Sequence, residues 1–199
     1  PTCREPDSGP HPGGGGGAVA IFSGGFDGSW TAVSDKYTYS GDSVVAGTSL
    51  LATRNNMGSA GNTTAGILAG GQNTFVLATC NKYTYSGDTV TAATSLGTAR
   101  RTLGSAGNAT LAIFGGGTLP GVTAVTDKYT YSGDVRAAGT NLGTAREGAA
   151  GAGNSTRGIF AGGTTGTVTA VADKYTYAGD TRVAGTSLGT ARTSHAAAG

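Results

Sequence analysis

The sequence predicts an all-β protein assembled from four copies of one unit. Three observations carry this reading. The tetrapeptide Lys-Tyr-Thr-Tyr stands at 36–39, 82–85, 128–131 and 174–177, and these copies hold all eight tyrosines and all four lysines of the chain. A short apolar run stopped by a double glycine precedes each copy. Nowhere do apolar residues recur at the three- and four-residue spacing of a helix face. Self-similarity at a fixed period of 46 residues (36, 82, 128, 174) marks a repeat architecture. In such architectures each copy is one supersecondary unit that cannot bury its apolar side alone.

Residues 1–16 hold four of the five prolines and end in glycines, so they read as a leader or linker unable to form a strand ladder. Within it, Thr2-Cys3-Arg4-Glu5 echoes Thr144-Ala145-Arg146-Glu147. The repeats align as 17–62, 63–108, 109–154 and 155–199. Each opens with a run such as Ala20-Ile21-Phe22-Ser23-Gly24-Gly25 or Gly158-Ile159-Phe160-Ala161-Gly162-Gly163, which is too short for a helix and suits a buried strand. A loop follows, then a second strand, Thr169–Tyr177 in the last copy. Its period of two sets Val171, Asp173, Tyr175 and Tyr177 on one face, with Ala172, Lys174 and Thr176 on the other. A Ser-Gly-Asp corner (Ala178-Gly179-Asp180 in the last copy) then has the composition of a hairpin turn. A weaker third strand, Thr89–Thr94 for example, leads to Leu-Gly-Thr-Ala-Arg at 96–100, 142–146 and 188–192. Fourth strands of Ala, Gly and Ser close the units at 58–61, 104–107, 150–153 and 196–199.

Four short strands per copy, repeated around an axis, describe a β-propeller of four four-stranded blades. The Ala/Gly strands suit the crowded innermost position, and Tyr, Ile and Phe pack between blades farther out. The apolar-Gly-Gly strand, the Tyr beyond it, the Thr-Ala-Arg turn and His195 three residues after Arg192 together resemble the kelch repeat over 17–199. The tryptophan that kelch repeats place seven residues after the tyrosine is here Val44, Val90, Arg136 and Arg182, so the resemblance is to a divergent member. In the kelch layout the innermost strand begins the blade that continues with the Gly-Gly strand. That layout implies a clasp in which Ala18–Gly25 and Ser194–Gly199 complete one blade and close the ring. The alternatives are a segment of a longer array or two chains closing a larger ring.

Bulk composition narrows the function. Net charge is +2, only 12% of residues are charged, and there is no block of like charge. A basic stripe that would collect the phosphates of nucleic acid is therefore missing. No run of about 18 apolar residues predicts a membrane-spanning helix. Glycine accounts for 38 of 199 residues but does not fall at every third position, which excludes a collagen helix. The two cysteines, Cys3 and Cys80, make no disulfide framework. Cys80 fills the slot of Ser34, Thr126 and Ala172 and reads as a small strand residue.

Several candidate sites follow. The Lys-Tyr-Thr-Tyr copies could stack on sugars, but their recurrence reads as architecture. Asp35, Asn81, Asp127 and Asp173 are expected to face Arg54, Arg100, Arg146 and Arg192 as a structural polar ring, because a buried carboxylate needs such a partner. Asn62, Asn108 and Asn154 match the glycosylation sequon, yet the same residues suit Gly-Asn turns. The loops after Gly-Gly are where the copies differ, and variable loops on a rigid frame are where binding usually lives. The expected contact residues are Phe26, Asp27, Trp30, Gln72, Asn73, Phe75, Thr118, Leu119, Thr164 and Thr165, with Trp30 also suited to packing at its strand start. His11 and His195, one of them in the leader, make neither a metal site nor a triad, and the Gly-Gly pairs open no helix that would cradle phosphate. No cofactor, metal or catalytic set is expected. The expected function is a non-catalytic binding or scaffold module for a protein or glycan partner. The alternative is a structural subunit of an extracellular or virion assembly, able to associate with itself and placed outside the cytoplasm.

Overall fold

The computed structural model describes residues 18–199. The leader with Cys3 and His11, and the echo of a repeat at 2–5, lie outside the described residues. The chain is all-β, with a single 3₁₀ turn at Ser132–Asp134 as the helical element among the described residues. Four antiparallel sheets follow one another along the chain. The first holds β1 (Val19–Ser23), β2 (Ser34–Thr38) and β3 (Ser43–Gly47). The second runs β4 (Gly58–Gly61), β5 (Ala65–Ala69), β6 (Cys80–Thr84) and β7 (Thr89–Ala93). The third runs β8 (Gly104–Gly107), β9 (Leu111–Gly115), β10 (Thr126–Thr130) and β11 (Val135–Gly139). The fourth runs β12 (Ala150–Gly153), β13 (Arg157–Ala161), β14 (Ala172–Thr176) and β15 (Thr181–Gly185).

Each four-stranded sheet therefore takes its Ala/Gly strand from one sequence repeat and its other three strands from the next. The register repeats without slippage: Phe22 faces Asp35, Leu68 faces Asn81, Phe114 faces Asp127 and Phe160 faces Asp173. The second strands begin later than the sequence suggests. Residues 169–171 lie outside β14 because Thr169 and Ala170 carbonyls accept from Arg192 and Leu188 N–H instead of from the ladder.

The Ala/Gly strands of successive sheets lie directly against one another. Ser105 Oγ donates to the Ser59 carbonyl at 2.6 Å, and a Cβ on Gly151 would stand 2.0 Å from the Ser105 carbonyl oxygen. Strand β8, held between β4 and β12, is buried along its whole length. Larger side chains fill the space farther out. Phe114 and Phe160 are fully buried, each packing toward the glycine that opens the preceding sheet (Gly58 and Gly104). Burying a phenylalanine contributes roughly 1.5–3 kcal/mol, a substantial share of the two junctions that hold one.

The Lys-Tyr-Thr-Tyr motif serves this packing. Tyr83 and Tyr175 set their hydroxyls over Gly47 and Gly139 of the preceding sheet, where a Cβ would come within 2.5 and 2.9 Å. Lys36 and Lys82 reach forward to the carbonyls of Tyr85 and Tyr131 at 3.3 and 3.0 Å. The corner after the motif places Asp42, Asp88, Asp134 and Asp180 at positive φ. Aspartate tolerates this conformation better than most residues, and its carboxylate is then turned toward neighbouring donors.

The expected clasp is not formed among the described residues. Residues 194–199 make no strand, the sheet of β1–β3 receives none from them, and Gly199 lies against Ala152 and Gly153 of β12. The closing segment thus follows the same step as β4, β8 and β12, stacking on the preceding inner strand, and makes no ladder with β1.

Candidate functional site

The Gly-Gly pairs place the variable loops. Both glycines of every pair have positive φ, Gly24 at 70° and Gly25 at 107° in the first. A Cβ on Gly24, Gly70, Gly116 or Gly162 would meet the carbonyl oxygen of Arg54, Arg100, Arg146 or Arg192 at 2.4–2.6 Å, so only glycine fits. The second glycine donates its N–H to that same carbonyl at 2.8–2.9 Å. The chain then doubles back, closed by bridges between Phe26 and Trp30, Gln72 and Val76, Thr118 and Val122, and Thr164 and Val168. All four loops therefore leave equivalent points of their sheets and are closed by equivalent bridges, with the third loop residue at positive φ in the first and fourth loops (Gly28 and Gly166) and not in the other two.

These loops carry exposed apolar groups at their tips and at their closing bridges. Phe26 is 62% and Phe75 72% exposed, and Trp30, Leu119 and Val168 are also open to solvent. Asp27 and Thr165 are exposed, while Gln72, Asn73 and Thr164 are half-buried. Thr118 is buried, and its hydroxyl donates to the Pro120 carbonyl within its own loop. Asn73 accepts from the Phe75 N–H at 3.0 Å and donates to the Thr53 carbonyl at 3.3 Å, which holds the Phe75 tip outward. Trp30 faces Phe26 across the first loop and remains 37% exposed, so it does not pack into a strand start.

Beside the loops runs a second variable slot that sequence reasoning passed over. Asn55, Arg101 and Glu147 each follow the recurrent arginine and bridge to Gln72, Thr118 and Thr164 of the neighbouring loop. Arg101 hydrogen-bonds the Gln72 side chain, and Thr102 donates to Glu147 Oε2 at 2.8 Å. The signal was available, since this slot differs in charge between copies while the arginine before it never changes.

The recurrent arginines tie the sheets together. Arg100 and Asp127 are fully buried and pair at 2.9 Å; Arg146 and Asp173 pair at 2.7 Å. Arg100 and Arg146 also donate to the Phe114 and Phe160 carbonyls of the following sheet. Burial pushes the Arg100 guanidinium down from its ordinary pKa, and Asp127 acts against this. A second cation joins each carboxylate: Arg136 Nε lies 2.5 Å from Asp127 and Arg182 lies 3.4 Å from Asp173. At the first junction Asn81 replaces the aspartate and Val90 the arginine. Arg54, also buried, donates there to the Gly70 and Thr79 carbonyls at 3.3 and 2.9 Å and pairs with no carboxylate among the described residues. The fourth member of the expected ring does not form: Arg192 is exposed and Asp35 is half-exposed, with no ion pair between them.

At the Asn turns, Asn62 Oδ1 accepts from the N–H groups of Thr64 and Ala65, and Asn108 and Asn154 repeat the pattern. The amide nitrogens of Asn62 and Asn108, the atoms a glycan would occupy, donate across to the Ala109 and Ser155 carbonyls at 2.9 Å. Among the described residues no three His, Cys, Asp or Glu side chains cluster in a way that could hold a metal ion. Cys80 is buried, and burial pushes its thiol up to about 11, against nucleophilic use.

The tyrosines between sheets make the fold sensitive to alkali. Burial pushes Tyr85 up to about 12 and pushes Tyr131 and Tyr177 still higher. An unfolded tyrosine releases its proton near pH 10, so the folded state binds more protons above that pH and stability must fall. The contribution is intact below about pH 10 and is lost as pH rises through about 12. Tyrosinate absorbance and loss of the β-sheet circular dichroism are expected to rise together in that window. Ionisation of every tyrosine near pH 10 with the sheet signal unchanged would contradict the packing described.

No family model matches the chain, and no curated protein sequence does. Likeness appears among solved structures, of which 163 chains match. The solved structure of YjhT superposes with a TM-score of 0.75 at 11% identity, covering 91% of this chain and 71% of the YjhT chain. At that identity the likeness shows the fold alone, a β-propeller-like all-β arrangement. Among the described residues no helix is long and apolar enough to cross a membrane.

Proposed function

We propose that the protein is a non-catalytic binding and scaffold module of kelch-like propeller type, which meets a protein or glycan partner through the loops after its Gly-Gly pairs. The observation that carries this reading is the pairing of an invariant frame with variable tips. Four loops leave equivalent points of the sheets, closed by equivalent bridges, and they expose Phe26, Phe75, Leu119 and Val168. Exposed aromatic groups on a rigid support are efficient anchors, because little side-chain freedom is lost when they are covered. Phe26, Trp30 and Phe75 offer faces for stacking on sugar rings or for filling a pocket on a protein. The polar slot of Asn55, Arg101 and Glu147 beside them supplies hydrogen bonds that would set orientation. Fold alone does not select a partner, so the loops and not the sheets carry the assignment.

The test is truncation of the tips. Phe26→Ala and Phe75→Ala are expected to weaken binding to an immobilised panel of glycans and candidate proteins by tenfold or more, while thermal unfolding stays where it was. A chain with all four loops (26–30, 72–76, 118–122, 164–168) replaced by Gly/Ser segments should fold and bind nothing. Retention of binding by that chain would refute the proposal.

A second reading, a structural subunit of an extracellular or virion assembly, is favoured by one observation: Phe22 and Ile159 are exposed where Phe114, Phe160, Ile67 and Ile113 are buried.

A further inference from the structure

The junction between the first and second sheets departs from the next two at several slots together. Asn81 stands in the slot of Asp127 and Asp173, and Val90 in that of the second cations, Arg136 and Arg182. Gly97 and Gly143 lie against those two guanidinium groups, and their counterpart here is Leu51. Only the first cation is kept. Arg54 fills the slot of Arg100 and Arg146 and is enclosed as they are, at 2% exposure.

The kept arginine has no carboxylate to meet among the described residues. Arg100 and Arg146 bring Nη1 to Asp127 and Asp173 at 2.9 and 2.7 Å. Both hydrogen bonds of Arg54 to described residues run from Nη1 to main-chain carbonyls, those of Gly70 and Thr79, and its Nε has no partner. Burial pushes the Arg54 guanidinium down from its ordinary pKa, and the group that acts against this is Cys80. Burial in turn pushes the Cys80 thiol up to about 11, so near neutral pH it carries no charge to offer.

Asn81, also 2% exposed, adds to the imbalance. Its Oδ1 accepts the Leu51 N–H at 3.2 Å, as Asp127 Oδ1 accepts the Gly97 N–H at 3.1 Å. Nδ2 therefore takes the branch that in Asp127 and Asp173 meets an arginine. One hydrogen of Nδ2 goes to the Cys80 carbonyl at 3.1 Å, and an amide nitrogen has a second to give. A donor thus stands where the other junctions place an acceptor. Buried charge is strongly destabilising unless it is paired.

We infer that the Arg54 junction binds a small monovalent anion of the halide class, held between the Arg54 guanidinium and the Asn81 amide. One cation is enclosed here where Asp127 has two, so a single negative charge balances it. The enclosure between packed sheets selects a compact ion that gives up its hydration at lower cost than a divalent oxyanion. Bound there, the anion takes the place of the carboxylate and braces the first sheet to the second. The site is independent of the loops and of what they bind.

Chloride is the probe. At constant ionic strength, replacing sodium gluconate with sodium chloride should raise the midpoint of thermal unfolding along a saturating curve. Chloride at ten times its dissociation constant multiplies the folded-to-unfolded ratio about elevenfold. Asn81→Asp supplies the carboxylate found at the next two junctions. It should unfold at a higher temperature than the unaltered chain in gluconate and lose the chloride response. A second measurement does not depend on any variant: bromide diffused into crystals of the unaltered chain should give an anomalous peak within hydrogen-bond distance of Arg54 and Asn81. An unaltered chain indifferent to chloride overturns the inference. So does a response of equal size in Asn81→Asp, or bromide that leaves no peak beside Arg54.

Discussion

Replacing Asp127 with alanine is expected to destabilise the protein by about 3–5 kcal/mol, the scale for removing one partner of a buried ion pair. The carboxylate is fully buried between Arg100 at 2.9 Å and Arg136 at 2.5 Å. Arg136 is partly exposed and can turn to solvent, but Arg100 is enclosed and its guanidinium would be left without a counter-charge. The loss comes from the stranded cation more than from the missing attraction. The double variant Arg100→Leu with Asp127→Leu should therefore recover much of it, because an apolar pair of similar volume avoids the desolvation of both charges. Urea unfolding of the two single variants and the double variant measures the coupling. Additive losses would mean that the two groups do not act as a pair.

The second large effect is expected where no side chain exists. Gly151 lies in β12 with its α-carbon facing β8, and a Cβ there would stand 2.0 Å from the Ser105 carbonyl oxygen. The obstacle is main chain on both sides, so neither partner can swing aside as a flexible side chain would. Overpacking a core costs about 1–3 kcal/mol where side chains can adjust. Gly151→Val should exceed that range, by forcing two inner strands apart. Gly121, in the third loop, has open space around its Cβ position, and Gly121→Ala should stay within about 0.5 kcal/mol of the unaltered chain. Equal unfolding midpoints for the two variants would show that the Ala/Gly strands do not touch as described.

Much of this architecture was legible because each copy comments on the others. The strands, the Gly-Gly turns and the Arg–Asp pairs could be read by comparing slots 46 residues apart, with physical chemistry supplying the reason for each residue type. The reading failed where no second copy exists to compare. Pairing of the chain ends depends on the angle between successive sheets, which accumulates from packing and leaves no mark on any one residue. Arg136 and Arg182 looked like departures from a family pattern; in the structure they join the carboxylates of Asp127 and Asp173 as second cations. The loops showed their variability in the sequence, but which tips point outward came only from the structure. Thr118 is buried beneath its own turn while Phe75 projects.

Hydrogen bonds across the sheet junctions span fixed separations: 30 residues for Gly97 on Asp127, 40 for Thr94 on Asp134, 47 for Asn62 on Ala109. Each sheet is therefore fastened to its immediate neighbours, and cooperativity passes along the chain as it does through a row of dominoes. The second and third sheets are each braced on two sides by described neighbours. The junction at Arg54, which lacks the carboxylate found at the next two, is the weak link where opening would pause or pass through.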